Sequence, residues 1–92
     1  MGRTDTNPHD TQTVALQALV WTLADEARAG RLVALTGLTP ADLRARLGEP
    51  AVLAACLAFL EGHEPDLVAC AGAIGATPDA LVAARAALER AA

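Results

Sequence analysis

The sequence predicts an all-α fold, a compact bundle of five to six short helices, on three observations. Leucine and other apolar residues recur at spacings of three and four, the period of a helix with one buried face. Glycine and proline interrupt this pattern at short intervals, as helix ends and starts do. No stretch alternates β-branched with polar residues as a strand does. Because the connections are short, neighbouring helices should fold back on one another.

The first predicted helix runs from Pro8 to about Ala29. Asn7 before a proline is a typical N-cap, although Asp10 or Thr11 would serve equally well. A buried stripe follows from spacings of three and four. Its predicted members are Leu16, Leu19, Val20, Leu23 and Ala27.

Gly30 is predicted to end this helix, and residues 32–36 to form one or two further turns before Gly37. Helices over 39–47, 50–61, 65–74 and from 78 onward each begin at or next to a proline. Their predicted buried positions are Leu43, Leu47, Val52, Leu53, Cys56, Phe59, Leu60, Leu67, Cys70, Ala71, Ile74, Leu81, Ala84 and Leu88.

The block Gly37-Leu38-Thr39-Pro40 resembles the later block Gly75-Ala76-Thr77-Pro78. Ending one helix and capping the next with this pattern is the simpler explanation. An ancestral duplication of a two- or three-helix unit is the alternative.

The length of 92 residues allows one domain. We predict a frayed segment over residues 1–10 and a single helical domain over 11–92. Hydrophobic residues make up 53% of the chain but aromatic residues only 2%, so the core consists of leucine, valine and alanine. A core of this kind is thin, and dimerisation or a partner would add burial.

The chain carries a net charge of −4 and contains no lysine. An acidic chain repels the phosphate backbone, which argues against non-specific binding of nucleic acid. No apolar run is long enough to span a membrane, and the polar N-terminus does not look like a signal peptide. Two cysteines are too few for a disulfide scaffold. These features predict a cytoplasmic protein.

The segment 32–47 has the sequence pattern of a helix-turn-helix motif: a short helix, a glycine turn and a helix that starts at a threonine. A recognition helix over 39–47 would present Arg44 and Arg46 to the major groove of DNA. Asp42 and Glu49 weaken this hypothesis, because they place negative charge beside the arginines.

Cys56, His63 and Cys70 recur every seven residues, and His9 is the only other histidine. Structural zinc sites use two close ligand pairs, which this spacing does not provide. The simpler interpretation is two buried cysteines and a loop histidine. We therefore predict no metal and no cofactor.

A catalytic function is not expected. The chain has no serine and no glycine-rich phosphate loop. A reactive cysteine needs an electropositive niche, whereas Glu61, Glu64 and Asp66 surround His63 with negative charge. Nearby carboxylates raise the pKa of a thiol. We predict that the protein is not an enzyme and has no catalytic residues.

Trp21 lies off the predicted stripe of the first helix, on the same side as Val14 and Ala18. One interpretation is that this strip packs inside the bundle, since tryptophan is mostly buried in folded domains. The other is an interaction surface with Trp21 as its anchor. Leu57, off the stripe of its own helix, has the same two interpretations.

The stretches 15–21 (ALQALVW), 35–44 (LTGLTPADLR) and 57–60 (LAFL) resemble a family of short alphaproteobacterial proteins catalogued as a domain of unknown function. The resemblance covers about residues 13–88, and the block LTGLTP is its most specific part. It implies a bacterial, cytoplasmic source and carries over no catalytic residue.

Our leading interpretation is a non-enzymatic helical module for protein–protein interaction. Its partner would be an unknown protein or a second copy, and Trp21, Val14 and Ala18 would contribute to the surface. The alternative is a DNA-binding protein that uses the 39–47 helix.

Overall fold

The computed structural model describes residues 8–91, and every regular element in that range is a helix, which confirms the predicted all-α class. The six helices are α1 (Pro8–Leu23), α2 (Glu26–Thr36), α3 (Pro40–Ala45), α4 (Pro50–Glu61), α5 (Glu64–Ile74) and α6 (Pro78–Ala91). Their buried side chains form one continuous core. Most of that core is leucine and alanine, as the composition predicts.

Helix α4 occupies the centre of the bundle and contacts α1, α2, α5 and α6. All five of its predicted core residues are buried. Ala54 and Leu57 are buried as well, because neighbouring helices cover α4 on several sides. The core interpretation of Leu57 is therefore confirmed. The central position of α4 follows from the absence of any charged residue between Pro50 and Leu60.

The prediction of one continuous helix from Pro8 to Ala29 is wrong. The chain breaks after Leu23, and Asp25 caps a new helix by accepting a hydrogen bond from the backbone N–H of Arg28 at 2.9 Å. Gly30 therefore lies inside α2 and does not end a helix. Residues 32–36 are the last turns of this same helix, which ends at Gly37.

The buried face of α1 also differs from the predicted stripe. Leu19 is buried, but the other residues that α1 buries are alanine and threonine, namely Ala15, Ala18 and Thr22. Small side chains let α4 and α6 approach α1 closely, and this turns Val20 outward, where 68% of its surface is exposed. Ala27, also predicted in the stripe, is exposed on α2.

Both Gly-x-Thr-Pro blocks adopt the same capping geometry. Gly37 and Gly75 have φ values of 76° and 75°, the left-handed conformation that ends a helix. Thr39 and Thr77 then accept hydrogen bonds from the N–H of Asp42 and Ala80 at 3.0 and 3.1 Å. Capping chemistry explains the repeated block, as the simpler interpretation predicts.

Helix α1 begins at Pro8, the earliest of the predicted starts. The proposed cap Asn7 and the rest of the segment 1–7 lie outside the described residues. Helix α3 ends at Ala45, so Leu47 follows the helix and is 38% exposed instead of buried.

Ion pairs join neighbouring helices at the surface. Arg85 of α6 pairs with Glu61 of α4, and with Glu89 one turn further along its own helix. Arg31 of α2 reaches Asp66 of α5 at 2.6 Å.

Between Pro8 and Ala91 we find no single helix with the length and apolar character needed to cross a membrane. Helices α5 and α6 meet those criteria only when taken together, and they are bent by 98° relative to each other.

Candidate functional site

An open groove with a volume of about 600 Å³ lies between α1 and the C-terminal end of α5. None of its lining side chains carries a charge. Apolar side chains form most of its surface, which is the composition of a site that binds an apolar ligand or side chain. The lining residues are Thr13, Leu16, Gln17, Val20, Trp21, Ala73 and Ile74.

The groove lies at the boundary between the core and the solvent. Leu16, Trp21 and Ile74 are partly buried and pack against the core. Val20, at 68% exposure, is one of the most exposed large apolar side chains in the described range. Covering such a side chain would remove apolar surface from water, which is favourable by about 25 cal/mol per Å².

Trp21 is fixed at one end of the groove by Arg28. The Arg28 guanidinium lies over the indole ring, 3.6 Å from its centroid, and its Nη2 donates a hydrogen bond to the backbone oxygen of Trp21 at 2.7 Å. The Nε of Arg28 is buried without a hydrogen-bond partner. The cation–π contact with the indole offsets part of the cost of burying this group.

The groove belongs to a larger uncharged face of the molecule. Helix α1 carries no charged residue from Thr11 to its end, and α5 carries none from Leu67 to its end. The exposed residues of α5 in that range are Val68, Ala69, Gly72 and Ala73. We call the exposed surface formed by residues 11–24 and 67–74 the α1–α5 face.

The structure separates the three residues predicted for partner binding. Trp21 lines the groove. Val14 is partly buried against the core and does not line the groove. Ala18 has no exposed surface, because it lies on the face of α1 that packs into the bundle, so it offers no direct contact to a partner.

Sequence reasoning missed Leu16 and Val20 as groove residues, because both were assigned to the core stripe. The signal that identifies them is the lack of charge on every side of α1 from Thr11 to its end. A helix that is uncharged all round but exposed along one side leaves an apolar surface without a partner.

The DNA-binding candidates occupy a different part of the molecule. Helix α3 has only six residues, and both Arg44 and Arg46 are exposed. Arg46 pairs with Glu49 at 3.0 Å, and this pairing raises its pKa. Hydrogen bonds from the backbone and side chain of Thr39 lower the pKa of Asp42, so this carboxylate stays charged beside the arginines.

Cys56 and Cys70 are free and buried, as the sequence predicts. The Cys56 Sγ lies 3.9 Å from the Thr22 Oγ1, which donates to the backbone oxygen of Ala18 at 2.8 Å. Burial raises the pKa of Cys56 to about 12 and also raises that of Cys70. Thiols of this kind are poor nucleophiles at neutral pH.

His63 is exposed, and its Nε2 lies 3.9 Å from the Oδ2 of Asp66. The same Asp66 oxygen forms an ion pair with Arg31. In the described part of the chain, no three histidine, cysteine, aspartate or glutamate side chains are arranged to hold a metal ion. The side chain of His9 lies outside that part.

A second recess, of about 360 Å³, lies between α2 and the end of α4. Leu35 forms one edge and is 76% exposed. Unlike the groove, this recess is flanked by the charged side chain of Arg31 and by His63. Leu35 is therefore a control position for Val20, equally apolar and exposed but outside the α1–α5 face.

The fold and the groove together define a small all-helical domain with an uncharged, partly apolar face. The chain belongs to the DUF3572 family: the sequence model of this family, described as "Protein of unknown function", matches residues 8–91. Comparisons with curated proteins and with solved structures gave no match.

Proposed function

We propose that this protein is a non-enzymatic helical module that binds a protein partner through the α1–α5 face. The observation that carries the proposal is the groove beside Trp21, where an exposed valine borders a surface without charge. The centres of protein interfaces are depleted in charged residues and enriched in tryptophan. The expected occupant is the apolar side of a helix, because a groove between two helices accepts a third by ordinary ridge packing.

The buried thiols support the non-enzymatic part of the proposal. Cys56 and Cys70 are the strongest nucleophiles of the sequence, and burial raises the pKa of both. We also propose that the protein is cytoplasmic and comes from an alphaproteobacterium. Two free buried thiols are typical of a reducing compartment.

The proposal is tested by capture of bound proteins with three forms of the full chain: wild type, Val20→Glu and the control Leu35→Glu. Both substitutions replace an exposed aliphatic residue by the same helix-forming acid. We expect at least one protein to bind the wild type and the control but not Val20→Glu, and to bind again as a purified component. Equal binding to all three forms would contradict the proposal.

DNA binding is the second candidate, and one observation favours it. Arg44 is exposed and makes no ion pair within residues 8–91. This hypothesis predicts salt-dependent binding to duplex DNA that Arg44→Ala and Arg46→Ala weaken. Absence of any mobility shift at low salt would exclude it.

A further inference from the structure

We infer that the occupant of the α1–α5 face is a second copy of this chain, so that the protein forms a weak dimer with two-fold symmetry. This inference rests on the proposed function and names its partner. In a two-fold interface the same surface meets itself, so it must carry both a protruding and a receiving part. The α1–α5 face offers both: Val20 exposes most of its side chain, and the groove that it borders has room to receive the side chain of a second copy.

Charge favours a second copy. Each chain carries −4, so two copies repel each other wherever their acidic surfaces meet. Residues 11–24 and 67–74 contain no charged residue, and Arg28, which stacks on Trp21 at the end of the groove, is positive, so two acidic chains can approach at this face without burying negative charge against negative charge. The face also offers no ion pair to select a different, charged partner.

The N-terminal segment of the chain itself is a poor occupant. Residues 1–7 read MGRTDTN and contain one large apolar side chain, that of Met1, beside the charged Arg3 and Asp5. Placing this segment in the groove would bury charge and polar groups without partners, which costs free energy.

The size of the face sets the strength of the dimer. The face comprises about 13 helical residues of α1 and about eight of α5, with lengths of about 20 and 12 Å. At a width of about 10 Å for each helix, each copy would contribute roughly 300 Å² of footprint. The total of about 600 Å² lies well below the standard interface size, so a weak, reversible dimer is expected. Small residues such as Gly72 and Ala73 let the second copy approach closely, since the space around Gly72 is open.

Sedimentation equilibrium of the full chain tests the inference, with samples up to about 0.5 mM to cover a micromolar Kd. We expect a monomer–dimer equilibrium in the wild type and in Leu35→Glu. Val20→Glu, and Ala73→Arg on the opposite wall, should weaken it at least tenfold, because each would bury an unpaired charge in an uncharged, mostly apolar contact. Raising the salt concentration should leave the Kd unchanged or lower it, since salt screens the repulsion between two acidic chains.

Two outcomes would overturn the inference. One is a monomer at every concentration. The other is a dimer that Leu35→Glu weakens as much as Val20→Glu does. If a monomeric chain still captures another protein in a Val20-dependent way, the dimer is wrong and the docking face stands. If Val20-dependent capture is also absent, both proposals fail.

Discussion

The Arg28 guanidinium lies 3.6 Å from the centre of the Trp21 ring and donates a hydrogen bond to the backbone oxygen of that same residue. This relationship joins the first turn of α2 to the last turn of α1. It satisfies a carbonyl oxygen near the C-terminal end of α1, where intrahelical donors run out. It also fixes the single tryptophan of the chain at the end of the groove.

Replacing Arg28 by alanine should lower the free energy of unfolding by about 1–2 kcal/mol, because a cation–π contact and a charged hydrogen bond are both lost. The tryptophan emission should shift to the red, since one face of the ring gains water. Urea denaturation followed by fluorescence measures both. Arg44→Ala, at an exposed arginine without an ion pair in the described range, is the control and should stay within about 0.5 kcal/mol of wild type. Equal effects at the two arginines would contradict this description of Arg28.

Gly30→Ala should stabilise the protein by about 0.5–1 kcal/mol. Gly30 is exposed in the interior of α2, and an added Cβ meets no atom within 4 Å. Alanine is the better helix former at such a position. Thermal unfolding should show a higher Tm.

Gly37→Ala is the matched comparison, because its site is just as open but its φ is +76°. This variant should be destabilised, since an L-residue is strained in the left-handed conformation. If Gly30 ended a helix, as the sequence pattern suggested, both alanine variants would lose stability together.

The two buried thiols should make the protein less stable at alkaline pH. Burial raises the pKa of Cys56 from 9.0 to about 12, so the folded state keeps a proton that the unfolded state loses. This stabilisation is complete below pH 9 and disappears as the pH rises toward 12, with a slope of at most about 1.4 kcal/mol per pH unit for each thiol. The chain contains no tyrosine and no lysine, so no other side chain titrates in this window.

Urea denaturation at pH 8 and pH 10.5 measures the effect. Cys56→Ala should reduce the difference in unfolding free energy between the two pH values, and Cys56→Ala with Cys70→Ala should reduce it further. An unchanged pH dependence in the double variant would show that the thiols are not its source.

Much of the fold could be predicted because local chemistry decides it. Thr39 and Thr77 cap helices by bonds to residues three positions away, so the sequence alone indicates where α3 and α6 begin. The Asp25 cap is equally local, with its bond to Arg28 three positions away, but no proline or glycine marks the break there. Leu23 and Ala27 also continue a helical spacing across the break, so the sequence pattern predicts one helix.

The groove was harder to predict than the helices. The leucine and valine residues of α1 fit a helical spacing on more than one face of the helix. Packing against α4 and α6 decides which of these faces is buried. The face of α1 with Ala15 and Ala18 is the buried one, and Val20 is therefore exposed to solvent. The sequence pointed to Trp21 but paired it with Ala18, which is in the core.

Acrylamide quenching of Trp21 fluorescence reports whether the α1–α5 face is covered by a partner, because the only tryptophan of the chain lines the groove of this face. Quenching should decrease as the concentration of wild type and of Leu35→Glu is raised, since docking covers the indole. Val20→Glu should show the same quenching at every concentration. Quenching that is independent of concentration in the wild type, and unchanged by every captured protein, would contradict the assignment of this face as a docking surface.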